Sequence, residues 1–253
     1  MELLSGLDLF SGIGGIGLAL EPWVRTVAYC EREPYAQGVL LSRMQSGDID
    51  TAPIWHDVTT LQGSMLPNID IIFGGFPCQD ISVAGHGKGL AGERSGLFFE
   101  IARLARELRP TFIFLENVPA IRTRGADRVC KELASLGYDC RWTTLTASAV
   151  GARHKRDRWF LLAYAKGQRV QGLRASGEQE PYAYVQQRLS MCEGERRIQT
   201  NWKTEPSVDR VVDGLLHRAH RIKCLGNSVV PLQVQTAFKK LLNLHNAEMP
   251  TVR

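Results

Sequence analysis

Gly74-Gly75-Phe76-Pro77-Cys78-Gln79-Asp80-Ile81-Ser82 sets a cysteine in a glycine/proline loop, just past the apolar, β-branched run Ile69–Phe73. Polar and turn residues flank Cys78, a setting that exposes a thiol and lets it react. A cysteine without such surroundings is usually an inert core residue, and Cys30, Cys130 and Cys140 are read that way. Glu116, in Glu116-Asn117-Val118, directly follows a second apolar run, Thr111–Leu115. If both runs are strands of one sheet, the thiol and the carboxyl face one pocket. That pair suits covalent catalysis on an electrophilic ring. Seen alone, Glu116 could equally be a structural acid at a strand end.

A second constellation lies nearer the start. Asp8-Leu9-Phe10-Ser11-Gly12-Ile13-Gly14-Gly15-Ile16-Gly17 follows the first apolar run and opens a helix. Gly12, Gly14 and Gly17 satisfy G-x-G-x-x-G, which permits a tight turn and brings the backbone close to a ligand. Glu31, about twenty residues on at the end of the next run, is placed to accept hydrogen bonds from ribose hydroxyls. His56-Asp57-Val58 is read as the end of a third strand, with Asp57 as an acid near an adenine amino group. The loop by itself fits NAD, FAD or S-adenosylmethionine about equally well, or a purely structural turn. A P-loop is excluded, because no Gly-Lys-Ser/Thr follows.

These residues need a scaffold, and the chain alternates accordingly. Leu3–Phe10, Val24–Glu31, Ile69–Phe73, Thr111–Leu115, Cys140–Ala147 and Trp159–Ala165 read as strands. Leu97–Leu108 carries Leu97, Ile101, Leu104 and Leu108 on one helical face and is stopped by Pro110. Ala126–Leu136 is a second helix with Gly137 as its C-cap. Val229–Leu244 is a closing helix with Pro231 in its first turn. The β-α-β alternation predicts an α/β fold with a doubly wound, mainly parallel sheet, in which ligands bind beyond the C-terminal strand ends. From about Lys166 to Lys203 periodicity fades into a polar stretch rich in Gln, Arg, Glu and Gly.

Composition is that of an ordinary globular chain: 253 residues, 44% hydrophobic and 23% charged. No stretch approaches the ~20 apolar residues of a membrane span, and the first residues lack the pattern of a secretory signal. A cytoplasmic protein with reduced thiols is expected. His217, His220 and Cys224 lack zinc-site spacing, so no metal is expected. Residues 1–150 hold 13 Lys and Arg against 17 Asp and Glu, a balance of −4. Residues 151–253 hold 18 against 9, a balance of +9, which suggests a polyanion partner for the C-terminal part.

Taken in order, DLFSGIGG, GGFPCQDIS, ENV and RIKCLGNSVVP resemble the signature blocks of the DNA (cytosine-5) methyltransferases. The resemblance runs from Asp8 to about Val234, except roughly 166–203. Weaker blocks at Gly151 to Phe160 and Glu205 to Gly214 also fit. It implies a Rossmann-like methyltransferase fold that binds S-adenosylmethionine and double-stranded DNA, in a bacterial or phage-encoded protein. Cys78 would attack carbon 6 of a flipped-out cytosine, Glu116 would act at N3, and carbon 5 would take the methyl group. Arg156 and Arg158 would hold the flipped nucleotide or its phosphates. Asp8, Phe10, Ser11, Gly12, Gly14, Gly15, Glu31, Asp57, Asn227 and Ser228 would form the cofactor site. Two departures stand out: His154 occupies the usual Gln of the Gln-x-Arg-x-Arg block, and Ile81 the place of an aromatic.

Three other readings explain less. A nicotinamide-dependent dehydrogenase leaves Pro-Cys-Gln and Glu-Asn-Val unexplained. An RNA cytosine methyltransferase would carry a Cys-Phe-Thr segment after the basic block, which is absent. A non-enzymatic DNA-binding relic would not need Cys78, Glu116, Arg156 and Arg158 together. The expected division is a catalytic domain at 1–165, a very small variable recognition region at 166–205, and a segment at 206–253 returning to the catalytic domain. The protein is expected to be a monomer, or to take a second polypeptide for target recognition.

Overall fold

The computed structural model describes residues 3–77, 95–165 and 218–246. Strands β1 (Leu4–Leu9), β2 (Val24–Cys30), β3 (Ile54–Trp55), β4 (Ile71–Gly75), β5 (Phe112–Asn117), β6 (Tyr138–Thr146) and β7 (Asp157–Ala165) form one sheet in the order β3-β2-β1-β4-β5-β7-β6. The pairs β1–β2, β1–β4, β2–β3 and β4–β5 are parallel, while β7 runs antiparallel to both β5 and β6. The expected doubly wound, mainly parallel sheet is present. The chain order reverses at β1, flanked by β2 on one side and β4 on the other. Such a switch point opens a crevice beyond the strand C-termini.

The period-2 alternation of the central strands explains why both faces are covered. Phe112 and Phe114 of β5, with Ile71 and Phe73 of β4 and Phe160 and Leu162 of β7, face one way. They pack with Ile16, Ala19 and Leu20 of α1 (Gly15–Leu20) and Val234, Ala237, Phe238, Leu241 and Leu242 of the last helix. Ile113, Leu115, Ile72, Leu161 and Ala163 face the other way, against Phe98, Ile101, Leu104 and Ala105 of α3 (Phe98–Leu108) and Val129 and Leu133 of α5 (Ala126–Ser135). Strands buried on both faces read as continuous apolar runs, which is why they stood out.

Other elements were less legible. α2 (Pro34–Gln45) buries only Ala36, Leu40 and Met44, a stripe one residue wide per turn. α4 (Ile121–Arg124) and α6 (Arg218–Asn227) were not anticipated either. β3 ends at Trp55, so Asp57 lies two residues beyond the strand rather than in it. The closing helix, α7, spans Pro231–Asn246 and packs on α1, β6 and β7. Cys78, Ile81 and the whole expected recognition region, 166–205, lie outside the described residues. Among the described residues, no helix is long and apolar enough to cross a membrane.

Candidate active site

The C-terminal ends of five adjacent parallel strands supply the site. At β1, Phe10, Gly12 and Gly14 all have positive φ (56°, 56° and 79°), so the loop coils tightly before α1 begins. Ser11 pins it: its Oγ donates to Asp8 O at 2.8 Å and its N to Cys30 O at 3.2 Å. Glu31, past the end of β2, grips the same loop, with Oε2 accepting from Gly12 N at 2.7 Å and Oε1 from Glu33 N at 2.7 Å. Both carboxylate oxygens keep a lone pair, so Glu31 both shapes the loop and can accept further hydrogen bonds.

Asp57 follows β3. Its Oδ1 accepts from Thr59 N at 3.0 Å and Thr59 Oγ1 at 2.8 Å, and these bonds hold its carboxyl below the usual range. Arg103 of α3 fixes the segment beyond it, donating to Val58 O at 2.9 Å and Leu61 O at 2.8 Å. Asp8 is different: it is 1% exposed, and its Oδ2 has no partner among the described residues. Burial, then the charge of Glu31, pushes its carboxyl well above the ordinary range. A Cβ on Gly17 would stand 3.3 Å from Asp8 Oδ2 and 3.2 Å from Thr26 Oγ1.

β4 and β5 bring the second constellation together. Gly75 and Glu116 are register partners, and a Cβ on Gly75 would come within 2.8 Å of Glu116 Oε2. The glycine therefore leaves the space that the carboxylate fills, three residues before Cys78. Asn117 ties the same two strand ends, its Nδ2 donating to Phe76 O at 3.3 Å and its Oδ1 accepting from Val118 N at 2.8 Å. The sequence reading missed Gly75 and Asn117 as site residues; both lie inside the motifs it quoted.

Arg158 on β7 completes this end, with Nε 2.7 Å from Glu116 Oε1. Two guanidiniums, Arg158 and Arg156, pull the Glu116 carboxyl down, yet burial outweighs them and its pKa is raised. Burial thus favours the neutral, proton-donating form of this carboxyl over the charged one. Arg156 is committed elsewhere: its Nη2 donates to Gly226 O at 2.8 Å and to Ser228 O. The guanidinium so anchors the turn after α6, whose Val229 packs on Gly15. Asn227 is exposed and Ser228 half-buried at this turn. Arg153, His154 and Lys155 form an exposed basic turn just before Arg156. The Cys30 thiol, by contrast, is buried and pushed up to about 12, which makes it unreactive.

The model of the C-5 cytosine-specific DNA methylase family matches residues 4–220. The chain is 32% identical over 237 residues to the type II methyltransferase M.CviJI of Paramecium bursaria Chlorella virus IL3A, covering 93% of this chain and 58% of that protein. It is 33% identical over 170 residues to M.HhaI of Haemophilus parahaemolyticus, covering 65% of this chain and 50% of that one. The chain thus spans little more than half the length of these curated relatives. The Entamoeba histolytica methyltransferase EhMeth superposes with a TM-score of 0.65 over 97% of this chain and 99% of that one. At 13% identity, this last likeness speaks for the fold alone. With the family model reaching from β1 into α6, across both constellations, the chain belongs to the C-5 cytosine-specific DNA methylase family.

Proposed function

We propose that this chain transfers a methyl group from S-adenosylmethionine to carbon 5 of cytosine in duplex DNA, through a covalent Cys78–carbon 6 adduct and with the target base flipped out. The observation that carries the reading is the Glu116 carboxyl, buried, raised in pKa and paired with Arg158, beside the strand end that leads into Cys78.

The crevice at the switch point fits the cofactor. The coiled loop Phe10–Gly15 can approach a ligand closely, and the carboxylates of Glu31 and Asp57 stand at the exits of β2 and β3. Glu31 would accept from ribose hydroxyls and Asp57 from an adenine amino group, with Asn227 and Ser228 closing the far side. When bound, S-adenosylmethionine supplies an electrophilic methyl group on a sulfonium.

The chain's own residues do the rest. The Cys78 thiolate adds to carbon 6, and the ring electrons shift toward N3 and carbon 5. Glu116 stabilises that shift by donating its proton or a hydrogen bond at N3, and Arg158 holds the carboxyl in place. After carbon 5 has gained the methyl group, a base takes its proton and Cys78 leaves by elimination. A stacked cytosine presents neither face to such a pair, hence the flipping. The exposed Arg153, His154 and Lys155 would meet phosphates. A cytoplasmic setting is part of this reading. Bisulfite sequencing of DNA from a methylation-free host expressing the chain tests the reading. 5-Methylcytosine at a recurrent site is expected, and its complete absence would refute the activity.

A further inference from the structure

We propose that Gln233, on the closing helix α7, is a positioning residue for the Arg156/Arg158 pair; this rests on the methyl-transfer reading above. Gln233 is fully buried. Its Nε2 donates to Leu145 O at 2.7 Å and to Arg156 O at 2.8 Å. Leu145, near the end of β6, is the register partner of Arg158 on β7. One side-chain amide thus spans the mouth of the β6–β7 connection and fastens both of its arms to α7. Both amide protons are spent on this, while Oε1 has no partner among the described residues. A glutamine that merely filled space would be a poor choice here, because leaving a buried carbonyl unpaired is costly.

The second observation is the backbone of Arg156. Its φ is 29°, a strained value for a residue with a side chain. Such a conformation persists only where the surroundings over-determine it. Its carbonyl is held from two sides, by Gln233 Nε2 and by Ala147 N at 3.3 Å. From this backbone the Arg156 guanidinium reaches Gly226 O and Ser228 O, and two residues later Arg158 reaches Glu116. Gln233 touches neither reacting atoms nor cofactor. It sets the twist from which one arginine locks the cofactor-side turn and the other holds the acid.

The test compares wild type with Gln233→Leu and Gln233→Glu in kcat, KM, the pH profile of kcat and melting temperature, all assayed well below melting. Leucine nearly keeps the volume and removes both donors. Its kcat is expected to fall on the order of tenfold to a hundredfold, as for a roughly 1 Å misplacement, with smaller changes in KM. The alkaline limb of its kcat profile should move to higher pH, because Glu116 loses the pull of the guanidiniums. A glutamate carboxylate cannot donate to either carbonyl, but a protonated one donates to one of them. The activity of Gln233→Glu relative to wild type should therefore rise as pH falls. If Gln233→Leu does not fold, this ratio decides. Wild-type kcat and pH profile in Gln233→Leu would overturn the role, as would a pH-independent ratio in Gln233→Glu. An inactive wild type would overturn the methyl-transfer reading itself, and the role with it.

Discussion

Gly75 and Glu116 share one space: a methyl group on the glycine would stand 2.8 Å from Glu116 Oε2. No carbon can stay that close to a carboxylate oxygen, so Gly75→Ala must displace the acid or the end of β4. Displacing a catalytic group by about 1 Å costs roughly 10²-fold in rate. Steady-state kinetics should show that drop in kcat with cofactor affinity unchanged, since Glu31 and the glycine loop lie at β1 and β2. Wild-type kcat in this variant would show that the space is not used.

Glu31 holds the glycine loop and is proposed to bind the cofactor ribose, and its removal should reveal both. Glu31→Ala releases the backbone amides of Gly12 and Glu33, each 2.7 Å from a carboxylate oxygen. It also deletes the acceptors offered to the ribose. Hydrogen bonds to a charged group are worth about 1.5–3 kcal/mol each. Calorimetric titration should thus show S-adenosylmethionine binding weakened about tenfold to a hundredfold or more, and DNA binding altered much less. Unchanged cofactor affinity would remove Glu31 from the site.

The pH dependence follows from Glu116. Its neutral form is the donor in the proposed mechanism, and burial raises its pKa above that of a free carboxyl. The competent fraction is full below that raised pKa and declines as pH climbs through it, so kcat should fall on its alkaline side. Arg158→Ala removes the nearer of the two opposing charges and should push this limb to still higher pH, at a reduced kcat. Glu116→Gln should abolish the limb and cost about 10²–10⁴-fold in rate. A limb that stays in place in Arg158→Ala would break the link to Glu116.

From its length and polarity alone, the aperiodic stretch 166–203, outside the described residues, is not expected to bury a core of its own. Arg169, Arg174, Gln186, Gln187, Arg188 and Arg196 are the side chains proposed to read bases, with a solvated surface as the alternative for each, and one bidentate contact discriminates by ~1–3 kcal/mol. A short or relaxed target of roughly two to four base pairs, or dependence on a second polypeptide, is expected. Sequencing the methylome of DNA modified by the purified chain alone checks this; full methylation of one long, strict site without a partner would contradict it.

What could be read in the sequence was what depends on local pattern. β4 and β5 are buried on both faces, so their apolar runs were plain, and the motifs at their ends followed. α2 was missed because only Ala36, Leu40 and Met44 meet the core and Pro34 at its start reads as a stop. β3 is only Ile54–Trp55, too short to mark its own end, so the third strand was read as ending at His56-Asp57-Val58, beyond where it stops. Pairings across long separations were invisible for a different reason. Beside the role expected for Arg156 at the nucleotide or its phosphates, its Nη2 bonds carbonyls 70 and 72 residues away. Gln233 reaches back 88 and 77 residues to Leu145 and Arg156. Nothing local announces such bonds; only the packing of α7 on β6 and β7 creates them.

The central claim is that Cys78 forms a covalent bond to the target base. DNA carrying 5-fluorocytosine at the target site, incubated with the protein and S-adenosylmethionine, tests it most directly, because fluorine on carbon 5 cannot leave as a proton and elimination stops. Intact mass spectrometry should show a protein–DNA adduct, located at Cys78 by peptide mapping. Cys78→Ser should give no adduct and no methyl transfer while still binding cofactor, since a hydroxyl is far less acidic and nucleophilic than a thiol. No adduct with an otherwise active wild type, or methyl transfer by Cys78→Ser, would contradict the account.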